Sequence, residues 1–74
     1  MDANELILFM AESTGKPKSE LSRSISDSRF YLNTILSRKT VPMANTYATI
    51  ADVCGYDLLV RRRSDGYEIP IDPK

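Results

Sequence analysis

Apolar positions fall into four helical blocks along this chain, after which their spacing changes. The first block, Leu6 to Ala11, is apolar at every position inside Glu5–Ser13, a stretch of strong helix formers, and Gly15 just beyond it suits a left-handed cap. A helix that is apolar all round must be covered on more than one side, or else meet a second subunit. The next block, Lys18 to about Ser26, turns Leu21, Ser22 and Ile25 to one side at i, i+1, i+4, with Pro17 placed for its first turn. Ser26, Asp27 and Ser28 form a turn rich in capping side chains, and Arg29 to about Ser37 then carries Leu32, Ile35 and Leu36 on its apolar side. Pro42 closes the following connection. A fourth helix from about Met43 to Cys54 buries Tyr47, Ile50, Ala51 and Cys54 before Gly55 stops it.

Beyond Gly55 the pattern becomes extended, running Asp57–Arg63, then Ser64, Asp65 and Gly66, then Tyr67–Ile71. An Asp-Gly pair between two extended runs predicts a β-hairpin, because glycine accepts the positive φ such turns require. Pro70 has no N–H to give to a ladder, so its strand belongs at an edge or has that position facing outward. Leu21, Ile25, Leu32, Ile35, Ile50 and Ala51 are the expected core, each larger one contributing roughly 1.5–3 kcal/mol by burial. Cys54 reads as a buried inert thiol rather than a redox sensor.

Composition narrows the chemistry. At 74 residues, 42% hydrophobic and 27% charged, the chain fits one small globular domain and neither a disordered tail nor a fibrous polymer. With no His and a single Cys, it has no material for a zinc finger, a His-based metal site, a disulfide framework or an imidazole-activated nucleophile. No paired carboxylates and no Gly-rich phosphate loop are present either. The expectation is therefore no catalytic residue, no metal, no cofactor and no small-molecule substrate, in a protein that is not an enzyme. The apolar run Leu6–Ala11 is far short of the roughly 20 residues that cross a bilayer, so no membrane partner is expected. The start of the chain lacks the basic flank of a secretory signal, and a lone thiol suits a reducing compartment, so a cytoplasmic location is expected.

The formal charge is zero, but it is unevenly spread. Asp2, Glu5 and Glu12 make residues 1–14 acidic at −3, whereas Lys16, Lys18, Arg23, Arg29, Arg38 and Lys39 against Glu20 and Asp27 leave residues 15–40 at +4. Asp52 and Asp57 give residues 41–60 a charge of −2, and residues 61–74 stand at +1. A basic segment on a neutral chain is either a solvated face or a phosphate-binding one, since phosphate responds to local potential.

Two short helices joined by a tight turn, the second rich in polar residues, make a helix-turn-helix pattern. The run Glu20, Leu21, Ser22, Arg23, Ser24, Ile25, Ser26, Asp27, Ser28, Arg29, continuing through Leu32, Ile35, Lys39, Pro42, Thr46, Ile50, Ala51 and Gly55, resembles the DNA-binding domain of the Cro and C1-type phage repressors, the XRE family. The spacing matches without a gap from Lys18 to Gly55. Ser22 stands where the family usually has Ala, Ser26 where it has the turn Gly, Lys18 for the usual Gln, Pro17 for the usual Thr cap, and Ser37 and Arg38 for the frequent Asn and Gly. A hairpin takes the place of the family's fifth helix. The resemblance implies a mainly α fold, a four-helix lambda-repressor-like helix-turn-helix domain over residues 1–56 with a C-terminal β-hairpin over 57–74, packed as one domain.

The resemblance further implies that the third helix enters the major groove of double-stranded DNA. Arg29 would then bond guanine O6 and N7, Phe30 would touch a thymine methyl, and Asn33 and Thr34 would reach base edges. Lys18, Ser28, Tyr31, Ser37, Arg38 and Lys39 are the expected phosphate contacts, which set position rather than sequence. Tyr31 has two readings, a hydroxyl on phosphate or a ring packed under the helix. The Arg61, Arg62, Arg63 triplet also has two, a solvated edge that discourages aggregation or a second backbone contact. One such helix covers few base pairs, so a homodimer acting as a transcriptional regulator of phage, prophage or mobile-element type is implied, joined through helix 1 or the hairpin. Neutral net charge and the Phe30–Tyr31 pair leave open an alternative, an antitoxin-like or inhibitory module that binds protein on the same scaffold.

Overall fold

The computed structural model describes residues 1–39 and 41–73, so Lys74, the last residue of the predicted hairpin extension, lies outside the described residues. The described residues form α1 (Ala3–Ser13), α2 (Lys18–Ile25), α3 (Tyr31–Arg38), α4 (Ala44–Val53), β1 (Leu59–Arg61) and β2 (Glu68–Pro70). The chain is mainly helical with a small antiparallel hairpin at its C-terminal end. No helix among the described residues is long and apolar enough to cross a membrane.

α1 begins two residues before the predicted Glu5 because Asp2 and Glu5 form a reciprocal cap. The Glu5 N–H donates to Asp2 Oδ1 at 2.8 Å and the Asp2 N–H donates to Glu5 Oε1 at 2.8 Å. This satisfies two of the helix's orphan amide donors and puts negative charge at the positive end of its dipole. Gly15, at φ 73°, ends the helix as expected. The apolar run is buried in one stripe rather than all round. Ile7, Met10 and Ala11 are buried at i, i+3, i+4, while Phe9 points away and is 50% exposed.

The core joins that stripe to Leu21, Leu32, Tyr47, Ile50, Ala51 and Cys54, with Ile25, Ile35, Leu36 and Leu58 packed half-buried around it. α2 packs on α3 and α4, and α1 on α4. The Tyr47 hydroxyl donates to the Ala3 carbonyl, tying α4 to the first turn of α1. Burial, with the Asp2 carboxylate adding to it, raises the Tyr47 pKa.

α3 starts at Tyr31 rather than at the expected Arg29. Two serine turns come first, with Ser26 Oγ accepting the Ser28 N–H at 3.2 Å and Ser28 Oγ accepting the Phe30 N–H at 3.1 Å. Ser28 is thus a turn former and not the helix cap. The capping contact comes from α2. Fully buried Ser22 accepts the Leu32 N–H at 3.0 Å, as an N-cap side chain would for the second residue of its helix.

In the hairpin, Val60 pairs with Ile69, flanked by Leu59 with Pro70 and Arg61 with Glu68. Gly66, at φ 76°, completes the loop, its N–H donating to the Arg62 carbonyl at 2.8 Å. Arg62 grips Asp65 through two bonds of 3.0 and 2.7 Å and lies 5.3 Å from the Tyr67 ring centre. All six strand residues are exposed, and only Leu58 and Ile71 at the base are half-buried. The hairpin therefore projects from the helices, in a molecule whose principal extents are 40 × 22 × 20 Å.

Candidate functional site

α3 separates its residues by side. Leu32 is buried and Tyr31, Ile35 and Leu36 pack half-buried on the core, so Asn33, Thr34, Ser37 and Arg38 are left on one exposed face at i, i+1, i+4, i+5. Arg29 and Phe30 extend that face but stand in the turn before the helix rather than on its first turn, where their spacing predicts them. The Arg29 guanidinium lies 4.9 Å from the centre of the Phe30 ring, and Phe30 is 54% exposed. A planar cation stacked on an aromatic face keeps its donors directed outward in the ring plane and loses less rotamer freedom when it binds.

Two grooves flank this face. One runs between α3 and the start of α1 and brings Lys18, Asn33, Ser37 and Lys39 together with Asp2, Glu5 and Leu8. The other runs between α3 and α4 and gathers Ser28, Tyr31, Thr34 and Arg38 with Met43 and Thr46. Eight of the ten predicted site residues thus line one groove or the other, and the stacked Arg29–Phe30 pair stands at the head of the helix. The electrostatics differ. The first groove is mixed in sign, with two lysines facing two carboxylates, and in the second Arg38 is the sole charged lining residue among the described residues.

Individual side chains differ in what they have left to offer. Lys18 opens α2, whose first turn follows Pro17 and has no side-chain cap, so its amides and its ammonium lie at one helix end. Ser37 Oγ donates to the Thr34 carbonyl at 3.2 Å, so its hydroxyl proton is held inside α3. Ser28 Oγ holds the Phe30 amide. The Tyr31 ring packs on the core, the second of its two sequence readings. Lys39 caps α3 in the left-handed conformation, φ 55° and ψ 29°, one residue beyond the position where the family's Gly was aligned. Arg62 is engaged with Asp65 and Arg63 stands in the turn itself, so of the arginine triplet Arg61 alone belongs to β1.

Two contributors went unread in the sequence. Ser22 fixes where α3 starts, and the only trace of it is a small polar residue at a core-facing position. Asp2 and Glu5 put negative charge into the first groove, and their i, i+3 spacing before an apolar run was a readable cap signature. The chain matches no family model, no curated protein and no solved structure.

Proposed function

We propose that this chain is a sequence-specific DNA-binding transcriptional regulator of the phage, prophage or mobile-element repressor kind, acting as a homodimer. In this reading α2, the turn at residues 26–30 and α3 are a lambda-repressor-like helix-turn-helix, and α3 enters the major groove. The observation that carries it is the single exposed face of Phe30, Asn33, Thr34, Ser37 and Arg38, opposite a side of α3 locked into the core through Leu32. A reading helix needs both a rigid back and a polar front that can reach base edges.

Arg29 presents its stacked guanidinium to guanine, Phe30 its ring edge to a thymine methyl, and Asn33 and Thr34 reach base edges one turn on. Lys18, Arg38 and Lys39 neutralise phosphates, with Ser28, Tyr31 and Ser37 as neutral neighbours on the same surface. The chain acts by binding alone and carries out no catalytic step.

A second reading, a protein-binding module, is favoured by one observation. Asp2 and Glu5 share a groove with Lys18 and Lys39, which suits a partner of mixed charge better than a polyanion.

Fluorescence anisotropy against random duplex DNA separates the two. With three cationic phosphate contacts, affinity should fall about 40-fold per chain between about 50 and 200 mM salt, and about 1,800-fold for a dimer that uses both sets. Arg38→Ala with Lys39→Ala should flatten that slope. On a selected operator, Arg29→Ala should lose about 1–3 kcal/mol and relax the preference at one base pair. Absence of duplex binding at the lower salt would leave the protein-binding reading in place.

A further inference from the structure

Asp65 is followed by Gly66, a pair in which the second residue's amide nitrogen lies within ring-closing reach of the first residue's side-chain carboxyl. Glycine leaves that nitrogen unshielded. It has no Cβ, and beyond its chain neighbours no atom lies within 4 Å of where one would sit. The turn is also open to water, with the Arg62 and Asp65 side chains 62% and 51% exposed.

Ring closure at such a pair is intramolecular. The Gly66 nitrogen loses its proton and attacks Cγ of the protonated Asp65 carboxyl, so that an N–Cγ bond forms and the carboxyl hydroxyl departs as water. A second water then opens the succinimide. Cleavage of the N–Cγ bond restores aspartate. Cleavage of the bond from nitrogen to the former main-chain carbonyl leaves isoaspartate, whose main chain runs through the side-chain carbons and is one methylene longer. Water is released and taken up in equal amounts, and no other reactant is required.

Arg62 holds both reacting groups. Its guanidinium donates from Nε to Asp65 Oδ1 at 3.0 Å and from Nη2 to Oδ2 at 2.7 Å. These bonds keep the carboxyl ionised, without the hydroxyl that has to leave, and hold it below the usual carboxylate range. The Tyr67 N–H also donates to Oδ1 at 3.1 Å, which turns the carboxylate toward the amide beyond Gly66. The Gly66 N–H donates to the Arg62 carbonyl at 2.8 Å, so the nitrogen keeps its proton. Arg62 is itself seated across the hairpin, its N–H donating to the Tyr67 carbonyl at 2.8 Å.

We propose that Asp65–Gly66 is a self-modification site, and that Arg62 sets the rate at which it converts to isoaspartate. In the closed hairpin the pair is latent. Each opening frees the carboxyl and the amide together, so conversion proceeds with the fraction of time spent open. The longer main chain of the product no longer fits a turn that bonds Arg62 to Tyr67 and sets Val60 opposite Ile69, so conversion leaves the hairpin open. This inference is independent of the DNA-binding reading.

The test is isoaspartate formation in the full chain, located by peptide mapping and counted with an isoaspartate-specific carboxyl methyltransferase. The native protein should convert about tenfold or more slowly than the same chain unfolded in guanidinium chloride. Arg62→Ala should close most of that gap, with circular dichroism confirming that the helices persist. Arg62→Lys, which keeps a charge but loses the two-pronged grip, should fall between them. Arg61→Ala removes a neighbouring guanidinium that has no bond to Asp65 and should keep the wild-type rate. In amide spectra the converted fraction should lose the Val60–Ile69 cross-strand contact. A wild type that converts as fast as the unfolded chain, an Arg62→Ala variant at the wild-type rate, or equal acceleration by Arg61→Ala would each overturn the proposal.

Discussion

Replacing Ser22 by alanine should loosen the start of α3 without altering any residue on its exposed face. Ser22 is fully buried, and its Oγ accepts the Leu32 N–H at 3.0 Å. Alanine removes the acceptor but leaves the donor buried, and an unsatisfied buried amide costs about 1–3 kcal/mol, in line with about 0.5–2 kcal/mol for deleting an N-cap side chain. A loss of about 1.5 kcal/mol is a large share of the roughly 4–11 kcal/mol expected for a domain of this length. It should lower Tm by about 6–12 °C. Circular-dichroism melts of both proteins read the shift, and hydrogen exchange at the Leu32 amide reads its origin, because protection there should fall before the global transition. An alanine variant as stable as the wild type, with Leu32 exchanging at an unchanged rate, would refute the claim that a cap from α2 sets where α3 begins.

Three further outcomes follow from the same geometry. Lys39→Gly should raise stability by about 0.5–1 kcal/mol, since relief of a left-handed lysine outweighs the extra freedom of the unfolded chain. The same change should weaken duplex binding by removing a cation, so the melt and the anisotropy should move in opposite directions. Asp65, held below the usual carboxylate range by its bonds from Arg62 and then by the Tyr67 amide, favours the folded turn above that range and loses the contribution as pH falls through its lowered pKa. The Gly66 and Tyr67 amide resonances should titrate with a depressed midpoint that Arg62→Ala moves back up, and a midpoint in the ordinary range with Arg62 intact would contradict the pairing. Burial pushes the Cys54 thiol up, so its contribution to folding is present at neutral pH and lost on the alkaline side. An aromatic disulfide reagent should label it slowly in the native state and fast in denaturant, and rapid native labelling at neutral pH would count against its burial.

The legible parts of this fold are those decided by neighbours in sequence. The hairpin follows from Asp65, Gly66 and Pro70, and α2 and α4 follow from apolar spacing within one or two turns. The start of α3 does not, because the hydroxyl that captures Leu32 comes from ten residues upstream. Spacing also could not tell which side of α1 would be covered. Phe9 lies in an unbroken apolar run, yet the packing partners reach only the stripe of Ile7, Met10 and Ala11. For the candidate site, the exposed residues of α3 were readable from its period. Their division between two grooves, one of them shared with Asp2 and Glu5, depends on where the start of α1 comes to lie.

Pro70 bears on how far any assembly of this chain can grow. A strand pair with both edges receptive can add copies at either side without limit, which is the geometry of a fibre. Residue 70 lies on the outward side of β2, and as proline it has no N–H to give there, so this edge of the hairpin is a poor template for a further strand. Pro70→Thr is the single change that should make this edge receptive, read as a particle size that rises with concentration.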